Sequence, residues 1–260
     1  MIFVNGKQLD ITLFPDQTSQ VWKLNNWLLN ETNWVNIVWN YSSEGELLHL
    51  AQLKDLLDKH NIKTQLTINY LPYARQDKEV TNESTFALRS FSKLLNVLKF
   101  DKIKILDPHS KTALNLINNS DDFYPIEQIL NAKNETNCDL FCYPDKGATE
   151  EYINIYDFSY VYGEKVRNQL TGNIENYKLI GNVKDKSILI VDDICDGGGT
   201  FILLAQQLKE SGATDINLFV THGLFTKGIK VLTDSGIKRI FTKDSEISVS
   251  DMNRYERKMV

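Results

Sequence analysis

The sequence predicts an α/β protein made of two doubly wound, mainly parallel sheets, and three observations carry that expectation. Short apolar, β-branched runs alternate with apolar runs at helical spacing from residue 35 to residue 242, as in sheets whose parallel strands are joined by crossover helices. The alternation occurs twice, on either side of a polar stretch at 118–122 that reads as a seam, giving domains 1–120 and 121–260. The polar strings that interrupt it all follow strand-like runs, at the carboxyl ends where open α/β sheets bind ligands.

Taken in order, residues 1–14 read as a hairpin whose arms, 2–4 and 9–13, flank the turn dipeptide Asn5-Gly6. All four tryptophans, Trp22, Trp27, Trp34 and Trp39, precede residue 40 and read as core or subunit contact. Residues 35–40 form a strand. Ser43-Glu44-Gly45-Glu46 has the pattern of a capping box that opens a helix reaching Lys59, with Leu47, Leu50, Leu53 and Leu57 at helical spacing. A strand at 63–70 ends in the polar string Tyr73-Ala74-Arg75-Gln76-Asp77-Lys78. A helix over 86–100 places Leu88, Phe91, Leu94, Leu95 and Leu98 on one face, and a strand at 102–106 ends in Asp107-Pro108-His109-Ser110. A helix at 111–117 closes the first half.

The second half opens with a helix at 126–133 and a strand at 138–143 that ends in Pro144-Asp145-Lys146-Gly147-Ala148. Strand-like segments at 159–162 and 177–183 flank a polar connection. A buried strand at 187–191 leads into Asp192, Asp193, Asp196, Gly197, Gly198, Gly199 and Thr200, then a helix at 201–208. Strands at 216–221 and 239–242, with a helix at 227–233 between them, complete the pattern.

Composition narrows the class. The chain has 260 residues and a net charge of −5, which argues against non-specific nucleic-acid binding, so any anion site has to be a local concentration of Lys, Arg and backbone N–H groups. Cys138, Cys142 and Cys195 form no framework and lack His partners at zinc spacing; they read as buried thiols in a reducing compartment. No leader or membrane-length apolar run is recognisable, which makes the cytoplasm the expected location.

The stretch 187–201, SILIVDDICDGGGTF, carries most of the chemistry. Glycines let backbone N–H groups converge on an anion, and a helix start adds the positive end of its dipole. Acids at a strand end accept hydrogen bonds from ribose hydroxyls or hold a divalent cation. The glycine turn by itself is equally what a plain tight turn looks like. The whole string resembles the phosphoribosyl-diphosphate (PRPP) binding motif shared by type I phosphoribosyltransferases and ribose-phosphate pyrophosphokinases. No G-x-x-x-x-G-K-[ST] loop is present.

With YARQDK, DPHS, PDKGA, KVR and VDDICDGGGT in this order, the chain resembles a ribose-phosphate pyrophosphokinase, and the ATP-side strings separate it from a phosphoribosyltransferase. The resemblance implies two domains of the type I phosphoribosyltransferase-like fold and transfer of the pyrophosphoryl group of magnesium–ATP to the anomeric hydroxyl of ribose 5-phosphate. It assigns Arg75, Gln76 and Asp77 to ATP, and His109 and Asp145 to the magnesium–ATP. Lys165 and Arg167 match a catalytic basic pair on a flap. Asp192 and Asp193 would bind the ribose hydroxyls with magnesium, and Asp196, Gly197, Gly198, Gly199 and Thr200 the 5-phosphate. Phe14 and Asp16 resemble an adenine loop that serves a neighbouring subunit, which implies a homo-oligomer; from the charge and the apolar pattern no nucleic-acid or membrane partner is expected.

Each residue also has an ordinary structural role open to it. Arg75 and Lys78 suit ion pairs with Asp77 and Glu79, Asp145 suits a helix cap, His109 a cap or core position, Lys165 and Arg167 a charged hairpin, and Phe14 the core. Two departures from the family stand out: the first strand and helix are replaced by the hairpin, and Gly197 stands where threonine is frequent. The missing side chain reads as extra room, compatible with ADP-ribose as acceptor, the substrate of compact, phage-like relatives that make ADP-ribose pyrophosphate for NAD salvage. A non-catalytic regulatory homologue and a PRPP-consuming transferase are the other classes; only the pyrophosphokinase converts ATP to AMP.

Overall fold

The computed structural model describes residues 1–22, 24, 32–167 and 174–247, and for residues 165–167 and 174–177 the backbone alone. The chain divides into two compact units, Met1–Tyr124 and Pro125–Val260. Each has a mainly parallel sheet and a core of its own.

In the first unit the sheet runs β2-β1-β5-β6-β7-β8, with β1 Ile2–Val4, β2 Lys7–Gln8, β5 Trp34–Trp39, β6 Lys63–Ile68, β7 Lys102–Leu106 and β8 Ser120–Phe123. Strands β5 to β8 are parallel; β1 joins β5 antiparallel. Helices α1 (Glu46–Lys59), α2 (Ala87–Val97) and α3 (Thr112–Leu116) connect them. The fully buried Val35, Ile37 and Trp39 of β5 alternate with more exposed residues, so one face of that strand packs on the core that Leu50, Leu53 and Leu57 of α1 complete.

Three expectations change here. Asn5-Gly6 does turn a hairpin, with φ of 47° and 81°, but its second arm is only β2. Residues β3 Ile11–Leu13 pair instead with β4 Ser19–Val21 in a separate two-stranded ribbon. The Ser43 side chain does not cap α1, which starts after Gly45; only the reach-back half of the box forms, the Glu46 carboxylate accepting from the Ser43 N–H at 3.5 Å as well as from the Ser42 N–H at 2.8 Å and the Trp39 indole N–H at 2.9 Å. The seam expected at 118–122 falls instead between Tyr124 and Pro125, because Ser120–Phe123 pairs with β7 and adds an edge strand to the first sheet. Among the tryptophans Trp39 is core, Trp22 and Trp34 are exposed, and Trp27 lies outside the described residues.

The second unit has the order β11-β10-β9-β12-β13-β14-β15. It comprises α4 Ile126–Thr136, β9 Leu140–Tyr143, α5 Lys146–Tyr152, β10 Tyr160–Arg167, β11 Ile174–Ile180, β12 Ser187–Cys195, α6 Gly199–Glu210, β13 Asp215–Gly223, α7 Lys230–Asp234, β14 Ile240–Thr242 and β15 Glu246–Ile247. From β9 the chain first steps outward to β10 and β11, then returns to β12 on the other side and continues to β13 and β14. The strand order therefore reverses between β9 and β12, which makes their carboxyl ends a topological switch point. Cys138, Cys142 and Cys195 are buried free thiols, as expected, and burial raises the pKa of Cys138 to about 11. No described helix is long and apolar enough to cross a membrane.

Candidate active site

The sequence places the acids after a strand that stops at Val191; in the structure β12 continues to Cys195. Its ladder with β13 is what extends it, through Asp192↔Val220, Ile194↔His222 and Cys195↔Gly223. The ladder with β9 ends at Ile190↔Cys142, so the two central strands part company just before the acids. Asp145 follows β9 and Pro144, and its charge, like that of Asp193, acts on the Asp192 carboxylate. Three carboxylates thus gather at the switch point from sequence positions nearly fifty apart.

Their electrostatics are unfavourable without a cation. Burial, then the charge of Asp193, then that of Asp145, hold the Asp192 carboxyl well above the usual carboxylate range. Asp145 also caps α5, its Oδ1 accepting from the Ala148 N–H at 3.0 Å, so the capping role and a place in the acidic cluster coexist. Among the described residues no three His, Cys, Asp or Glu side chains are grouped as a ready-made metal cage. The donor set nonetheless suits magnesium, which characteristically takes one or two carboxylates and fills its remaining positions with water and substrate oxygens.

Past β12 the chain turns through Asp196, Gly197 and Gly198 into α6, so Gly199 and Thr200 are the first helical residues rather than part of the loop. Gly198 is the N-cap in the left-handed region at φ 76°, and a Cβ there would sit 2.8 Å from Leu232 Cδ2 of α7. Only glycine meets both demands. The result is a twelve-residue helix whose first N–H groups open onto the turn. The space beside Gly197 is bordered by the Lys227 stem: a Cβ built there meets Cε, Cδ and Cγ at 3.3, 3.4 and 3.6 Å. Sequence reading missed Lys227, placing it in a helix; α7 begins only at Lys230, and Lys227 belongs to the turn before it. His222, read as structural, is a buried member of β13.

In the first unit the loops after β6 and β7 are tied together. Ser110 Oγ donates to Asp77 Oδ2 at 2.8 Å, joining the Arg75–Asp77 string to the His109 string. The Gln76 N–H bonds the Tyr73 carbonyl at 2.9 Å, and the Leu88 N–H, at the start of α2, bonds the Gln76 carbonyl at 3.2 Å. Tyr73 (φ 63°) and His109 (φ 72°) both occupy the left-handed region, a strained conformation for such residues that marks tightly specified loops. The Tyr73 hydroxyl donates to Glu44, and that bond, with burial and the Glu44 charge, pushes its pKa up to about 12. Arg75, Gln76 and His109 have exposed side chains. Glu79 pairs with Arg89 at 2.6 Å.

Phe14 and Asp16 lie at the tip of the β3–β4 ribbon. Phe14 is 38% exposed, so it is not core, and its neighbour Leu13 is 71% exposed. Asp16 Oδ1 accepts from Thr18 Oγ1 at 2.7 Å and Thr18 N at 3.0 Å, bonds that lower its pKa and fix the turn. Lys165 and Arg167 belong to the backbone of β10, opposite Tyr177 and Ile174 of β11, with a bulge between Val166 and Arg167; their side chains lie outside the described residues.

Residues 153–256 match the model of the phosphoribosyl transferase domain family. A ribose-phosphate pyrophosphokinase of Pyrococcus abyssi is 30% identical over 217 residues, covering 81% of this chain and 73% of that protein. One from Thermococcus kodakarensis is 28% identical over 250 residues, covering 94% and 85%. Among solved structures, the phosphoribosylpyrophosphate synthetase of Mycobacterium smegmatis superposes with a TM-score of 0.71 at 20% identity over 90% of this chain and 78% of that one, a likeness of fold.

Proposed function

Because the chain belongs to the ribose-phosphate pyrophosphokinase family and is thus an ATP-dependent diphosphotransferase, we propose that it carries the β,γ-pyrophosphoryl group of magnesium–ATP to the anomeric hydroxyl of ribose 5-phosphate, yielding PRPP and AMP. The observation that carries this reading is the switch point of the second unit: an acid pair on β12, Asp145 beyond β9, and a glycine turn leading into α6.

The sugar half of the reaction falls to that turn and those acids. Backbone N–H groups of Gly197, Gly198, Gly199 and Thr200 bind the 5-phosphate with the positive end of α6 behind them. Asp192 and Asp193, on successive positions of a strand, accept from the ribose hydroxyls and orient the anomeric oxygen. One or two of Asp192, Asp193 and Asp145 would hold magnesium, which would supply charge neutralisation for the triphosphate and lessen the cost of an ionised, buried Asp192. On the ATP side, Arg75 meets the phosphates, Gln76 and Asp77 fix the nucleotide, and His109 helps hold the metal–nucleotide. Lys165 and Arg167 stabilise charge as it moves onto AMP. Such transfer depends on placement and electrostatics more than on covalent catalysis. The exposed Phe14 supports a further assignment: it stacks on adenine, with Asp16 accepting from the amino group, in the site of a neighbouring copy within a homo-oligomer.

The test is to incubate the protein with magnesium–ATP and either ribose 5-phosphate or ADP-ribose and identify products by mass. AMP and PRPP from ribose 5-phosphate are expected. AMP formed only with ADP-ribose would transfer the assignment to ADP-ribose pyrophosphate synthesis. No AMP with either acceptor would leave a nucleotide-binding regulatory protein.

A further inference from the structure

We propose that Lys227 is a binding residue for the phosphoryl group at ribose C5, the one side-chain cation built into the glycine turn among the described residues; this rests on the sugar-site reading above. The segment after β13 is stitched to the turn by backbone bonds. Leu224 N and Phe225 N both donate to the Cys195 carbonyl, at 2.8 and 3.1 Å, and Thr226 N donates to the Asp196 carbonyl at 3.2 Å. Thr226 Oγ1 adds a bond to Asp196 Oδ1 at 2.6 Å. A tight turn follows, closed by Gly228 N to the Phe225 carbonyl at 2.8 Å, with φ of 47° at Phe225 and 72° at Gly228. Residue 227 is the third residue of that turn. Its stem is laid against Gly197 by main-chain geometry rather than by chance.

The contact is with the far end of the side chain. Cε is the closest atom to the Cβ position of Gly197, at 3.3 Å, and the ammonium is one bond further on. Lys227 is exposed and makes no ion pair among the described residues, so its charge is available to an anion. Asp196, which precedes Gly197, has Oδ1 occupied by the Thr226 hydroxyl. A site that binds a phosphate dianion in a chain of net charge −5, next to three carboxylates, needs a local cation in addition to N–H dipoles. A Cβ at residue 197 would press on the end of the Lys227 stem.

Isothermal titration of the full-length protein, with magnesium and without ATP, tests this. Ribose 5-phosphate, ADP-ribose and unphosphorylated ribose are the titrants, with Lys227→Met, which keeps the stem, and Lys227→Arg as variants. Lys227→Met is expected to weaken ribose 5-phosphate and ADP-ribose by about tenfold, the scale of one charge-assisted hydrogen bond, and to leave ribose unchanged. Lys227→Arg should recover most of the loss. Equal affinity of wild type and Lys227→Met for ribose 5-phosphate, an equal loss for ribose, or a loss confined to ADP-ribose would each overturn the assignment, as would a wild type that binds none of the phosphorylated sugars. A wild type that binds ribose 5-phosphate but forms no AMP would end the proposed reaction and leave the role of Lys227 standing.

Discussion

Glu46 is the most heavily committed carboxylate of the first unit, and replacing it by glutamine should be costly in a pH-dependent way. It is 7% exposed and accepts from the Met1 amino group, the Trp39 indole at 2.9 Å, the Ser42 N–H at 2.8 Å and the Ser42 hydroxyl at 2.9 Å. Burial by itself would raise its pKa, but these donors together outweigh burial and bring it from 4.5 to about 2. At about 1.4 kcal/mol per unit, that difference contributes about 3 kcal/mol of stability at neutral pH. Glutamine keeps one acceptor oxygen and turns an NH2 group toward donors, so most of this is lost. The unfolding midpoint of the first unit should fall by roughly 10 °C in calorimetry. Because the folded pKa is depressed, the contribution is whole above the ordinary value of 4.5 and is lost as pH falls toward 2. The gap between wild type and Glu46→Gln should therefore be level from about pH 7 to about pH 5 and close below that. A gap under about 0.5 kcal/mol at neutral pH, or one that persists unchanged to about pH 2.5, would refute the reasoning.

Three further outcomes follow from the second unit. Asp192→Asn should stabilise the metal-free protein by about 1 kcal/mol, read as a higher midpoint in a thermal scan, while AMP formation falls at least about a hundredfold; added magnesium should raise the midpoint of wild type and not that of the variant. Gly198→Ala combines a positive φ of 76° with a 2.8 Å approach to Leu232 Cδ2 and should cost about 1–3 kcal/mol in urea unfolding, with weaker ribose 5-phosphate binding. Lys165→Ala should lower kcat by about 10²–10³-fold with each KM within about threefold, measured by steady-state AMP release; turnover near wild type would remove Lys165 from the catalytic role.

Much of the sheet was readable because β-branched runs such as Ile188–Val191 and Ile37–Val38 have one physical use, burial in a parallel ladder. Reading failed where a partner strand decides. Asp192, Asp193 and Ile194 look like loop by composition, and only the ladder with β13 makes them strand. Residues 11–13 continue a plausible hairpin arm until 19–21 supplies a better partner. Short-range capping rules likewise pointed to the Ser43 side chain, whereas only the carboxylate three residues on reaches back, to Trp39, Ser42 and the Ser43 N–H.

The site divides along the same line. Glycines and acids that act through their own backbone positions were legible, since Gly198 must be glycine wherever a strand turns sharply into a helix against a neighbour. Lys227 was not, because nothing in Thr226-Lys227-Gly228 hints that the segment folds back onto a turn thirty residues earlier. What fixes it there is the pair of N–H groups meeting the Cys195 carbonyl, and those exist only because β12 is long enough to end at Cys195 beside Gly223. The misjudged length of one strand and the missed cation are therefore one error. Extending β12 past its acids leaves Asp192 and Asp193 on a rigid ladder and, by the same four residues, delivers the carbonyl that anchors the lysine over the turn.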